Sequence, residues 1–486
     1  MTDAFSVAQL QDIQGFGIAG FKKDHQQLMF FRFGDPASGR RFLGWLEAQT
    51  ASAWEVGSFN QLFSEIKART DGEEPICATW IGVLISAMGY QALGVGTTSL
   101  PAGEGTNAFT AGMANRSQQT GDTGPLDVPS GWLPPFRPGT GVHLCIAIAA
   151  DRQDDLDEAT AKVGDQAAAC GCDLVLQELG ETLPQPLTGH EHFGFKDGMS
   201  QPAVDGYDDP PQPNEPPAVA PGEFVLGYPC ASGNPVAQAG SLWFNGSFAV
   251  FRRLNQDVAA FRAQSNAGVP GSNPNLSPDQ TAAIMMGRWP SGAPLELNPT
   301  SDPGTPGDTP NAFQYQAAPF SDNDGHTCPH FAHIRKANPR DETTPNPATD
   351  SPLLHRMIRR GIPFGPRLPP SALDDGQQRG LHFLSIVSDL DRQFEFVQRQ
   401  WINDPNFPGG QPNPNPGPYG PPQTGTPDGP DPIAAEADTG TECTLIQPAG
   451  PHQFPVAKQL VKVTAGEYFF VPAISALAAI ANGAAG

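Results

Sequence analysis

A chain of 486 residues, 38% of them hydrophobic, is long enough to bury one large elaborated core or two smaller ones. A net charge of −23 and a pI near 4.7 argue against nucleic acid or an anionic membrane as partner. Seven scattered cysteines with no CxxC pair rule out a disulfide framework and fit a reducing compartment; with no basic n-region at the start and no run near the roughly 18 apolar residues of a membrane span, the expected location is cytoplasmic.

Residues 26–34, QQLMFFRFG, are a compact apolar run that predicts a buried strand, and 36–51 after it an amphipathic helix. Residues 78–94 predict a second helix ended by Gly94. The alternating stretch 141–151 predicts a strand, 155–171 a helix with Asp at its cap, and 172–183 another strand. The acidic, Pro-rich stretch 205–223 reads as a linker or exposed loop. Beyond it, 222–229, 240–254 and 380–390 predict strands, 257–265 and 391–404 helices, and 466–480 a strand leading into a terminal helix. The Pro/Gly/Asn-rich inserts 267–278, 299–312 and 405–433 read as surface loops, the last unable to form a packed element. The class is therefore α+β in two parts, 1–204 and 224–486.

GHTCPHFAHIRKANPR (325–340) packs His326, Cys328, His330 and His333 into eight residues. At helical spacing the histidines share a face. A zinc ion needs three or four convergent ligands, usually from two segments, and the nearest second source is the distant His190-Glu191-His192. A heme iron needs one proximal imidazole with basic residues beside it for the propionates, which His333, Arg335 and Lys336 offer. Ordinary polar residues at a helix start are the plain alternative. In HEHFGFKDGMSQP (190–202) glycines bracket Asp197, a positioned acid or base or else a turn residue. In MIRRGIPFGP (357–366) Arg359 suits a developing negative charge or a surface ion pair.

Together these segments resemble one family, the dye-decolorizing heme peroxidases. Gly194-Phe195-Lys196-Asp197-Gly198 matches its GxxDG motif, AHIRKANPR looks like its proximal-histidine segment, and RRGIPFG like its distal-arginine segment. DIQGF (12–16), FNGSFAVFRRL (244–254), GRWPSGAPL (287–295) and GEYFFVP (466–472) also look like family blocks, in family order over nearly the whole chain, and the inserts place it near the long members.

The resemblance implies two ferredoxin-like α/β-sandwich halves of the dimeric α+β barrel type. One heme b per chain is held mainly by the C-terminal half. It implies His333 as the iron ligand, its other nitrogen hydrogen-bonded to a carboxylate, with Asp389, Asp391 and Glu395 in the right region. It implies Asp197 as the distal acid/base and Arg359 as the group stabilising O–O cleavage by hydrogen peroxide, through an oxo-iron(IV) species that then oxidises dyes, phenolics and other bulky aromatic donors. Gly198, Met199, Ser200, Leu381 and Phe383 are expected at the heme, with Arg335, Lys336 or His326 at its propionates. His330 stands as an alternative ligand and Arg360 as a substitute for Arg359. Trp401, Tyr315 and Tyr419 are candidates to relay electrons to the surface. A carboxyl base, unperturbed near 4, implies an acidic pH optimum. A non-catalytic heme-binding or iron-handling protein would keep His333 without needing Asp197 and Arg359. A monomer or a homodimer is expected.

Overall fold

The computed structural model describes residues 4–69, 76–97, 100, 103–231, 237–272, 275–320, 322–342, 351–408, 428–436, 441–447 and 450–484. Its apolar runs form strands of one antiparallel sheet: β1 (His25–Phe33), β2 (Thr79–Ser86), β3 (Leu144–Ala150), β4 (Cys172–Glu181), β5 (Ser247–Gln256), β6 (Ile358–Arg359), β7 (Ile362–Phe364), β8 (Gly380–Val387) and β11 (Val461–Val471). A separate hairpin pairs β9 (Glu442–Gln447) with β10 (Gly450–Pro455).

The sheet order is β4-β1-β3-β2-β11-β5-β8-β6, with β7 also on β8. Split between β2 and β11, each half reads fourth–first–third–second in its own strand order. That is the ferredoxin-like arrangement twice over, an α+β fold of the dimeric α+β barrel type. The helices Pro36–Glu47, Ala53–Arg69 and Gln153–Cys170 complete the first half. Phe42, Leu43 and Leu46 on one helix face and Phe30 and Phe31 on β1 are fully buried in a core that continues through Phe251 and Phe469 of the second half. A second cluster, with Phe261, Met285, Phe313 and Phe331, sits under the long β5–β6 connection.

The halves meet twice. At one seam β2 and β11 share backbone pairing, Ser86 with Phe469 and Ile85 with Phe470. At the other, β4 packs against β7, and a Cβ on Gly180 would fall 2.4 Å from Ile362 Cγ2. Here the ties are side chains: Glu178 Oε2 accepts from Arg253 Nε at 2.8 Å and lies 3.0 Å from His382 Nε2.

Several expectations need correction. Residues 79–86 of the predicted second helix are a strand buried over its last six positions, and only Ala87–Ala92 is helical. A continuous apolar run has no period by which to tell strand from helix. Ser86 makes the switch, its hydroxyl capping Gly89 N. The stretch 222–229 buries Phe224, Val225 and Leu226 but in turns rather than a strand. The helix expected at 155–171 begins at Gln153 with Arg152 as its cap. The stretch 205–223 folds back on the core, with Val204 bridging Val219. The end of the 405–433 insert packs as well: Asp428, Asp431 and Ile433 are buried.

Candidate active site

The GFKDG loop follows β4. Gly194 and Gly198 take φ of +100° and +73°, conformations that favour glycine. Glu191 shapes the turn from inside, its two carboxylate oxygens accepting from Phe193 N and Phe195 N, each at 2.8 Å. Burial pushes the Glu191 carboxyl up to about 7 despite these bonds. Asp197 N donates to Gly189 O at 3.0 Å, leaving the Asp197 side chain exposed at the loop's edge.

Arg359 ends β6. Gln201 pairs with its backbone in both directions, accepting from Arg359 N at 3.0 Å and donating to Arg359 O at 3.1 Å. Arg360 points the other way. Its guanidinium donates to Gly17 O and Ile18 O, just after the N-terminal DIQGF segment, so it does not substitute for Arg359.

His333 begins the short helix His333–Ala337. Its Nδ1 lies 2.6 Å from Asp431 Oδ2, and Asp431 is itself held by Ile433 N and Ala434 N on Oδ1. A carboxylate only accepts, so in the neutral ring Nδ1 bears the proton and Nε2 carries the lone pair. Burial lowers the His333 pKa, and the Asp431 carboxylate more than offsets this, leaving it above the ordinary imidazole value. The expected partners lie elsewhere. Asp389 caps the following helix through Asp391 N and Arg392 N, while Asp391 and Glu395 pair with Arg116.

The rest of the cluster disperses. His330 has both nitrogens occupied, by Asp428 Oδ2 at 2.9 Å and Asn323 O at 3.0 Å, and is not an alternative ligand. His326 is exposed near Asp324. Cys328 is buried, its thiol pushed up to about 12 by burial. Among the described residues no group of three or more His, Cys, Asp or Glu converges as a metal would require.

One cavity, with about 1940 Å³ of empty space including its mouth, is lined by His333, Asp197 and Arg359 together. Gly198, Met199, Ser200, Leu381 and Phe383 also line it, alternate β8 residues facing the space while His382 turns away. Arg335 and Lys336 do not. Arg335 is fully buried in ion pairs with Asp322 and Glu342, and Lys336 donates to Asp404 O and Phe407 O. Two residues beyond His333, Arg335 is carried by the helical turn to its far side, whereas Lys336, three residues on, is kept from the cavity by the carbonyls that hold its ammonium. His326 is also absent from the lining.

Lys196 and Arg252 line the cavity, Arg252 paired with Asp122, and so do four further arginines, Arg288, Arg340, Arg356 and Arg359, the first three of them unforeseen. Among the described residues the acceptors of these four are carbonyl oxygens, such as Pro310 O for Arg288, Phe313 O for Arg340 and Ser200 O for Arg356 and Arg359. None is in an ion pair among the described residues. Burial, then the neighbouring arginines, brings Arg356 down to about 9 and Arg288 to about 10. Desolvated guanidiniums of this kind call for an anion. The apolar walls include Met286, Ile334, Val397 and Ile433.

Of the relay candidates, Trp401 is 2% exposed and stacks on Phe407, so it is not at the surface. Tyr315 is fully buried with Arg335 4.2 Å over its ring. Tyr419 lies outside the described residues.

Residues 12–174 match the model of the DyP dimeric alpha+beta barrel domain. A dye-decolorizing peroxidase of Exidia glandulosa is 33% identical over 98% of this chain and 87% of its own length. Peroxidase 2 of Mycetinis scorodonius is 31% identical over 98% and 88%. Among solved structures, an ancestral D-type dye decolorizing peroxidase superposes with a TM-score of 0.80 at 31% identity, covering 96% of this chain and 98% of its own. A fungal DyP-type peroxidase from Auricularia auricula-judae gives 0.78 at 28%, covering 97% and 99%.

Proposed function

The chain belongs to the dye-decolorizing peroxidases, and from that premise we propose that it holds one heme b in the cavity and uses hydrogen peroxide to oxidise bulky aromatic donors such as dyes and phenolics. The observation that carries this reading is His333, its Nδ1 tied to Asp431 and its Nε2 without a partner among the described residues, in the wall of the same cavity as Asp197 and Arg359.

The residues present suit a flat, dianionic porphyrin. Nε2 of His333 is the ligand, the arginines Arg288, Arg340 and Arg356 supply charge for the propionates, and Met286, Ile334 and Val397 supply apolar faces. Heme, when bound, supplies a redox-active iron with a position for peroxide. The chain does the rest. Asp431 fixes the His333 tautomer and makes the imidazole a stronger donor. Asp197 takes the proton from one oxygen of peroxide and returns it to the other, so that the second leaves as water. Arg359 donates to the charge that develops on the departing oxygen, and costs little reorganisation because Gln201 already fixes its backbone. A non-catalytic heme protein would need neither Asp197 nor Arg359 in the cavity, and both line it.

The test is an absorption spectrum of the protein with heme added, before and after one equivalent of peroxide. A Soret band that shifts on peroxide supports the reading, and no Soret band after heme addition overturns it.

A further inference from the structure

We propose that Tyr468 is a site of one-electron oxidation during turnover, with Glu395 receiving its phenolic proton. The proposal rests on the heme-peroxidase reading above, since an oxidising equivalent from peroxide must reach the cavity.

Tyr468 lies on β11 and is fully buried. Its hydroxyl donates to Glu395 Oε1 at 2.8 Å. Glu395 is likewise fully buried and is gripped by the Arg116 guanidinium, which also faces Asp391. The ring of Tyr468 meets that of Phe394 edge to face, centroids 6.2 Å apart, and Phe394 lines the cavity. One aromatic ring therefore separates the phenol from the cavity.

A phenol that loses an electron becomes a strong acid, so its oxidation inside a protein requires a base already in contact. Among the described tyrosines Tyr468 alone donates to a carboxylate. Tyr228 donates to the neutral amide of Asn245, Tyr90 has no partner for its hydroxyl, and Tyr315 has a guanidinium over its ring. Burial raises the Glu395 carboxyl against the pull of Arg116 and Tyr468, which makes it a better proton acceptor than an exposed glutamate.

The step balances locally. One electron passes from the phenol through Phe394 to the oxidising equivalent that peroxide leaves in the cavity. The Tyr468 O–H bond breaks and an O–H bond forms on Glu395 Oε1. A neutral phenoxyl then faces a neutral acid, with Arg116 unchanged. An aromatic donor returns the electron and Glu395 returns the proton. The competing reading is a buried hydrogen bond that only ties the helix beginning at Leu390 to β11.

The test uses the heme-loaded full chain, frozen after one equivalent of peroxide with no donor present. It reads the organic radical by electron paramagnetic resonance in protein grown with ordinary and with ring-deuterated tyrosine. The expected signal narrows on deuteration, and Tyr468→Phe loses most of the deuterium-sensitive part at equal heme content. Glu395→Gln keeps an acceptor for the phenol but no base, and the signal should form more slowly and to a smaller extent. A signal from the unaltered chain that ignores ring deuteration overturns the proposal without any variant. So does a deuterium-sensitive signal of undiminished size in Tyr468→Phe. If peroxide leaves the Soret band unmoved, the heme-peroxidase reading fails and the proposal with it; a normal Soret shift with either adverse radical result sinks Tyr468 alone.

Discussion

The two halves share one strand order and differ in what joins the strands. In the first, β1 runs to β2 through two helices, Pro36–Glu47 and Ala53–Arg69. In the second, the matching connection from β5 to β6 is residues 257–357, and it brings His333, Arg288, Arg340 and Arg356 to the cavity. The first half contributes the loop after β4, with Asp197, and part of the connection between β2 and β3, with Thr120, Asp122 and Asp127. Topology places the wall, and the connections place the chemistry.

The seams differ too. Backbone pairing closes β2 on β11, whereas β4 meets β7 through the Glu178–Arg253–His382 contacts. One carboxyl on β4 and one on β11 also shift in opposite directions. Glu178 titrates below the ordinary value: burial raises it, but His382 and Arg253 more than compensate. Glu467 on β11 is pushed up to about 7 by burial against its bonds to Tyr468 N and Met113 N.

The sharpest way to break the comparison is His333→Ala. If the second half's connection carries the cofactor, the Soret band disappears while far-ultraviolet circular dichroism is unchanged. Next is Asp197→Asn, from the first half. It should keep the heme and slow the reaction with peroxide by roughly 10²–10⁴-fold in stopped flow; full activity would remove the first half from the chemistry. Third is Glu178→Gln, which leaves a buried guanidinium short of its carboxylate. It should cost about 3 kcal/mol, read as a lower urea midpoint. The smallest effects are in pH. The contribution of Glu178, depressed in the fold, is present above its unfolded value and lost as pH falls through the folded one. That of Glu467, raised in the fold, is present below its unfolded value and lost as pH rises toward about 7. Glu467→Gln should therefore flatten the decline in stability on the neutral side, by on the order of 1 kcal/mol, and Glu178→Gln the decline on the acid side. Equal slopes in both variants would mean the carboxyls on β4 and β11 are electrostatically alike.

Much of this was legible in the residues. The runs at 26–34, 141–151 and 380–390 announced strands, and GFKDG, AHIRK and RRGIPFG announced the cavity wall. Asp431 was hidden because it closes a Pro/Gly/Asn-rich insert with no periodic signal, and its partnership with His333 spans 98 positions. Arg340 was hidden by its left-handed backbone, φ +58°, which no neighbouring residue advertises. Arg335 and Lys336 misled because adjacency in sequence suggested adjacency to the cavity, while the helical turn sends Arg335 away and distant carbonyls, Asp404 O and Phe407 O, hold Lys336.

Gln201 has one further consequence. Asp197 and Arg359 reach the cavity by separate, long routes through the chain, and positional error along such routes would ordinarily accumulate. The two-way amide pairing of Gln201 with the Arg359 backbone short-circuits that accumulation. The spacing of acid and cation is referenced across four residues and two hydrogen bonds, as two machined parts are referenced to a shared dowel. The barrel can breathe, and the inserts can lengthen or shorten, without changing the tolerance of that gap.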